Sequence, residues 1–173
     1  TLVKSSAASD VYKRQVYDYP SMDGLSSLFF NDLMLTNILV PALGLILLTF
    51  VIGLIHTIAS VNLMGKGKEW EESGIPVEPY KDAPLHLKII KNNISNIFEF
   101  SVIFYFLIGI IVFIEIESTF LLICAWLYLL FRVIHSIVHI SFNNTAARGA
   151  IWIFSQTALL LLFLGTAYYV LSS

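Results

Sequence analysis

Charge is scarce in this sequence. Aspartate, glutamate, lysine and arginine together supply 13% of its 173 residues, against 57% hydrophobic residues and a mean hydropathy of +0.80. A water-soluble domain of this size needs more charge than that to cover its surface. Beyond Lys91 the cations are Arg132 and Arg148. No basic patch is present to meet a polyanion, which excludes nucleic acid as a partner. The sole cysteine, Cys124, lies inside an apolar run, so it forms no intrachain disulfide and is expected to pack. Internal repeats and interrupted hydrophobic segments are also missing, which argues against a transporter built from paired repeats.

Long apolar runs are what the chain has instead. Residues 33–60, 92–114, 119–140 and 149–170 each approach or exceed the roughly 20 residues that cross about 30 Å of hydrocarbon. The expected fold class is an all-α membrane protein, a four-transmembrane-helix bundle occupying residues 32–173. Pro41 and Gly44 fall in the first span, where membrane helices tolerate them. Residues 1–15 resemble a translated sequencing-adapter read-through and are set aside as non-native or disordered. Residues 16–31 read as a lead-in with turn chemistry at Tyr19-Pro20 and Asp23-Gly24. The only substantial loop, 61–91, is rich in Gly, Pro, Lys and Glu. The connections at 115–118 and 142–148 are tight, and Asn144 or Thr145 is the expected N-cap of the last helix.

Lysine and arginine in the loops set orientation. Loop 61–91 and its border hold Lys66, Lys68, Lys81, Lys88 and Lys91, and loop 142–148 ends at Arg148, whereas 115–118 carries neither lysine nor arginine. Both basic loops are expected in the cytoplasm, with the termini outside, in a cell inner membrane.

Arg132 is the residue that most needs explaining, because a cation at membrane depth costs roughly 2.5–3.5 kcal/mol on insertion scales. At 100° per residue, His135, Ser136, His139 and Asn143 share its stripe. Span two carries a second polar stripe of Asn92, Ser95, Asn96 and Glu99. Glu99 lies about 16 Å in from Lys88 at 1.5 Å per residue, and Arg132 lies equally far from Asn143. The two stripes are therefore expected to meet, with Glu99 paired to Arg132. Arg148 and Gln156 are expected to look inward from the start of span four. The His135-x-x-x-His139 spacing suits a metal, but two histidines beside an arginine are a poor cation site, and no metal is expected.

Asn92-x-x-x-Asn96-x-x-Glu99, followed by Arg132-Val-Ile-His135-Ser, Asn143 and Arg148, resembles the MAPEG family, the membrane-associated proteins of eicosanoid and glutathione metabolism. The resemblance covers residues 30–173. It implies a homotrimer of four-helix bundles binding glutathione between neighbouring subunits near the cytoplasmic face. By the same resemblance Asn92, Asn96, Glu99, Arg132, His135 and Gln156 stand at cofactor-binding positions. Arg148 stands where the catalytic branches have the arginine that stabilises the glutathione thiolate. The chain departs from those branches at Asn92 and Ser95, where arginines are found, and at Gly149, Trp152 and His139, where serine, tyrosine and tyrosine are usual.

The expected function is glutathione-transferase-like: conjugation or reduction of lipophilic electrophiles or peroxides arriving from membrane lipid. The alternative is a non-catalytic membrane protein that binds a lipid or a partner helix and uses its polar seam for assembly.

Overall fold

The computed structural model describes residues 22–64 and 83–172, with side chains of the first helix described over 37–61. The adapter-like segment 1–15, the Tyr19-Pro20 turn and most of loop 61–91 lie outside the described residues. The chain divides into two compact units, Thr1–Leu33 and Met34–Ser173. Helix from Met22 onward is the described part of the first, and the second holds the rest of that helix and the three that follow it.

The described residues form α1 (Met22–Met64), α2 (Leu85–Phe113), α3 (Thr119–Ser141) and α4 (Thr145–Ser172). Asn37–Val61 of α1 and the whole of α2, α3 and α4 are long and apolar enough to cross a membrane. An all-α, multi-pass membrane protein is thus what the residues build.

The helix ends follow from local chemistry that hydropathy does not count. Helix α1 runs back through Asp23-Gly24, where a turn is expected; the pull of two turn-forming residues is small beside a long apolar helix that follows them. Helix α2 begins at Leu85 rather than 92. Pro84 enters extended, and its carbonyl accepts the N–H groups of Leu87 (3.0 Å) and Lys88 (3.2 Å). The polar first turns thereby join the apolar span. Asn144 caps α4, its Oδ1 accepting the Ala147 N–H at 3.0 Å, and the helix starts at Thr145, ahead of the apolar run. Ser118 caps α3 in the same way through Leu121.

Two helices end on residues with positive φ. Glu115 (φ 57°) closes α2 as its N–H reaches Val112 O and that of Ile116 reaches Ile111 O, with Ile111 and Ile116 both buried beneath the turn. Asn143 (φ 45°) closes α3, its N–H donating to Val138 O at 2.9 Å. Asparagine tolerates this left-handed geometry better than most residues.

The core joins Ile38, Ala42 and Leu45 of α1, Phe104 and Ile111 of α2, Leu121, Cys124 and Ala125 of α3, and Leu159 and Leu162 of α4. Cys124 is a packing residue, 2% exposed. Glycines allow close helix approaches: a Cβ on Gly165 of α4 falls 2.6 Å from the Leu121 side chain, and one on Gly44 of α1 falls 2.7 Å from that of Leu129. Phe50, Val102, Phe106 and Leu47 point outward, as lipid-facing residues of a membrane bundle do.

Candidate functional site

Helix α3 turns its polar stripe into the bundle. Tyr128, Arg132, His135, Ser136 and His139 recur at three- and four-residue intervals and are all at most 2% exposed. Phe104 of α2 stacks on Tyr128 at 4.7 Å between ring centroids, closing the inner end of the stripe with an apolar lid.

Arg132 is fully buried, and its Nη2 donates to the backbone carbonyl of Asn96 on α2. That oxygen has a second lone pair beyond the one used by its own helix, so it accepts without breaking α2. The Nε and Nη1 atoms of Arg132 have no hydrogen-bond partner among the described residues.

The expected hydrogen-bonded pairing of Arg132 with Glu99 is therefore not formed within the chain. Glu99 lies on an exposed face of α2, near enough for its charge to bear on Arg132 but not bonded to it. Asn92 and Ser95 are exposed as well, and Asn96 is half-buried. The Asn96 amide donates to Asn92 O at 3.2 Å, and the Ser95 hydroxyl to Lys91 O at 3.3 Å. Asn93, not Asn92, turns inward, in register with Ile97, Ser101 and Phe104. One residue is a 100° rotation, so the polar stripe read along α2 sits beside the packed face rather than on it. Asn93 is fully buried, and neither its Oδ1 nor its Nδ2 is hydrogen-bonded. No pattern along α2 alone marks Asn93, because the outward face with Phe98, Val102 and Phe106 is apolar as well.

At the other end of α3 the polar residues converge on Arg148. The ring of His135 donates from Nδ1 to the Arg148 carbonyl at 3.1 Å. The Arg148 side chain folds back across the connection, its Nη1 donating to Asn143 Oδ1 at 2.7 Å and to His139 Nε2 at 3.2 Å. The carbonyl end of α3 favours a cation there, and the first turn of α4 has no acidic residue to neutralise it. Gln156, two turns further along α4, is half-buried with its Nε2 unpartnered, and the adjacent Ser155 is buried and bonded to Trp152 O at 2.8 Å. Trp152 meets Phe100 of α2 edge-on at 5.9 Å.

The geometry thus brings Arg132, His135, His139, Asn143 and Arg148 together through α3 and its turn into α4, and attaches them to α2 at Asn96. It leaves Asn92 and Glu99 exposed beside that group and not bonded to it.

Residues 38–168 match the model of the MAPEG family. The chain belongs to that family. No curated protein and no solved structure matches it. The matched stretch runs from the first membrane-spanning helix to near the end of the last, so it takes in the whole α3–α4 cluster as well as the exposed stripe of α2. Membership makes this MAPEG protein a membrane protein of a family concerned with glutathione and eicosanoid metabolism, whose members generally use glutathione.

Proposed function

We propose that this protein is a glutathione-dependent transferase or peroxidase acting on lipophilic electrophiles, assembled as a homotrimer. Arg148 carries the reading. It is a guanidinium held at the start of a membrane helix with no carboxylate bonded to it among the described residues, and its side-chain contacts at Asn143 and His139 are neutral. A cation so placed has its charge free for an incoming anion.

The unpartnered polar atoms fit a ligand of this kind. Nε and Nη1 of Arg132 and Nε2 of Gln156 are donors, and Nε2 of His135 is an acceptor when the ring is neutral. A tripeptide with two carboxylates, amides and an ammonium group presents complementary atoms. Asn92, Asn96, Glu99, Arg132, His135 and Gln156 would hold it, with Glu99 taking the ammonium. Glutathione would supply a thiol that is nucleophilic once ionised, and Arg148 favours the ionised form by its charge. The apolar acceptor reaches the site from the lipid.

The exposed polar face of α2 supports the trimer reading. Asn92 and Glu99 are exposed on a single chain, and a carboxylate facing acyl chains is expensive. A neighbouring subunit covering that face removes the expense and completes the site between subunits. Loops 61–91 and 142–148 would lie in the cytoplasm, the termini outside, and the membrane would be the inner one.

Isothermal titration of the purified protein with glutathione tests this reading. Saturable heat is expected, and its absence at millimolar ligand defeats it. A non-catalytic, lipid- or helix-binding role is favoured by one observation: Ser95 and Asn96 spend their side-chain donors on their own helix, and no arginine stands at 92 or 95.

A further inference from the structure

Arg148 is held at both ends by one helix. His135 and His139, four residues apart on α3 with ring centroids 5.7 Å from each other, take its backbone and its side chain respectively. The partners dictate the protons. A carbonyl oxygen only accepts, so Nδ1 of His135 carries hydrogen; a guanidinium only donates, so Nε2 of His139 carries none. The contact between His139 and Arg148 exists only while the His139 ring is neutral. That ring is 1% exposed, and its Nδ1 has no hydrogen-bond partner among the described residues. Asn143, fixed by the left-handed end of α3, supplies a second acceptor to the same Nη1.

We propose that His139 is the positioning residue of Arg148: its neutral imidazole, with the Asn143 amide oxygen, sets where the guanidinium points. The proposal rests on the reading of Arg148 as the anion-holding group and adds the regulation of that site. A proton on Nε2 turns the acceptor into a donor and places two cations 3.2 Å apart, so the guanidinium leaves. Among the described residues, the titratable and charged groups bearing on His139 are Arg148 from α4 and His135 from its own helix, with Arg132 acting in turn on His135. None of these is an anion that offsets the added charge; Glu99 of α2 bears on Arg132. Arg148 is therefore aimed when His139 is neutral and released in acid.

Modification of Arg148 by phenylglyoxal, followed by mass spectrometry of the full-length protein in lipid nanodiscs, reads this without glutathione. His139→Phe removes the acceptor and is expected to raise the Arg148 modification rate about tenfold, the factor for one lost hydrogen bond. His139→Gln keeps an acceptor oxygen and does not titrate. It is expected to match the wild type at neutral pH and to keep the same rate relative to the Phe variant as pH falls, while the ratio of the wild-type rate to that of the Phe variant climbs toward unity. Should the Phe variant fail to fold, the comparison of wild type with His139→Gln across pH decides alone. Equal rates in wild type and His139→Phe, or wild-type and His139→Gln rates that keep a constant ratio from neutral to acid pH, overturn the proposal. If His139 governs Arg148 reactivity while titration with glutathione gives no heat, the clamp stands and the transferase reading falls; the reverse pattern separates them the other way.

Discussion

The guanidinium of Arg132 ends on the backbone carbonyl of Asn96, one turn short of the Glu99 carboxylate. A buried cation tied to a neutral carbonyl ties α3 to α2 and leaves the neighbouring anion free to face another molecule. Among the described membrane-spanning residues Glu99 is the one carboxylate, and it is not spent on a bond inside the fold.

Replacing Arg132 separates packing from charge. Arg132→Met keeps most of the volume and removes a costly buried cation, so it is expected to leave thermal unfolding in detergent within about 1.5 kcal/mol of wild type. Arg132→Ala opens a cavity at a fully buried position and is expected to destabilise by about 3 kcal/mol. Equal losses for both would show that the bond to Asn96 dominates.

Glu99→Gln tests the exposed face of α2. With the charge gone from the proposed contact between subunits, the trimer fraction seen by native mass spectrometry is expected to fall at dilution by a factor of about ten, the loss of one charge-assisted bond. A trimer as persistent as wild type means that Glu99 does not reach a neighbour.

On the proposed transferase reading, Arg148→Ala should cost about 10²-fold in glutathione-dependent turnover, the scale on which single charge-stabilising donors act. Absorbance of the bound thiolate near 240 nm is the direct readout and should vanish in step. Unchanged absorbance moves the activating role elsewhere.

At Asn143 two substitutions divide backbone from side chain. Asn143→Gly suits φ 45° and loses only the bond to Arg148, whereas Asn143→Ala adds a strained left-handed residue worth about 1 kcal/mol more. Unfolding midpoints should rank wild type, then Gly, then Ala, and both variants should free Arg148 alike.

Glycines of α4 should respond oppositely. An added Cβ meets nothing within 4 Å at Gly149, so Gly149→Ala is expected to stabilise the helix by about 0.5–1 kcal/mol. At Gly165 the Cβ lands against Leu121 and Phe120, and Gly165→Ala is expected to lower the unfolding midpoint. Thermal scans of the pair check both signs.

Much of this was legible in the residues. Twenty-residue apolar runs admit few structures other than membrane helices, since a backbone in lipid must bond to itself. The cap at Asn144 and the inward stripe of α3 follow from side-chain chemistry at fixed spacing, because a cation, two histidines and a serine at helical intervals have one affordable direction. Helix starts were less legible, since Pro84 and the polar turns after it are helical without being apolar.

What composition and spacing determined, then, is the number of crossings, the class of fold and the face of α3 that is buried. Tertiary structure alone decided that Asn93 rather than Asn92 enters the bundle, that Arg132 finds Asn96 O rather than Glu99, and that Arg148 folds back onto His139. The reason lies in the solvent. In water an apolar face marks the inside, but in lipid both sides of α2 are apolar, so its rotation is set by how Ile97 and Phe104 pack against their neighbours and not by any pattern within the helix itself.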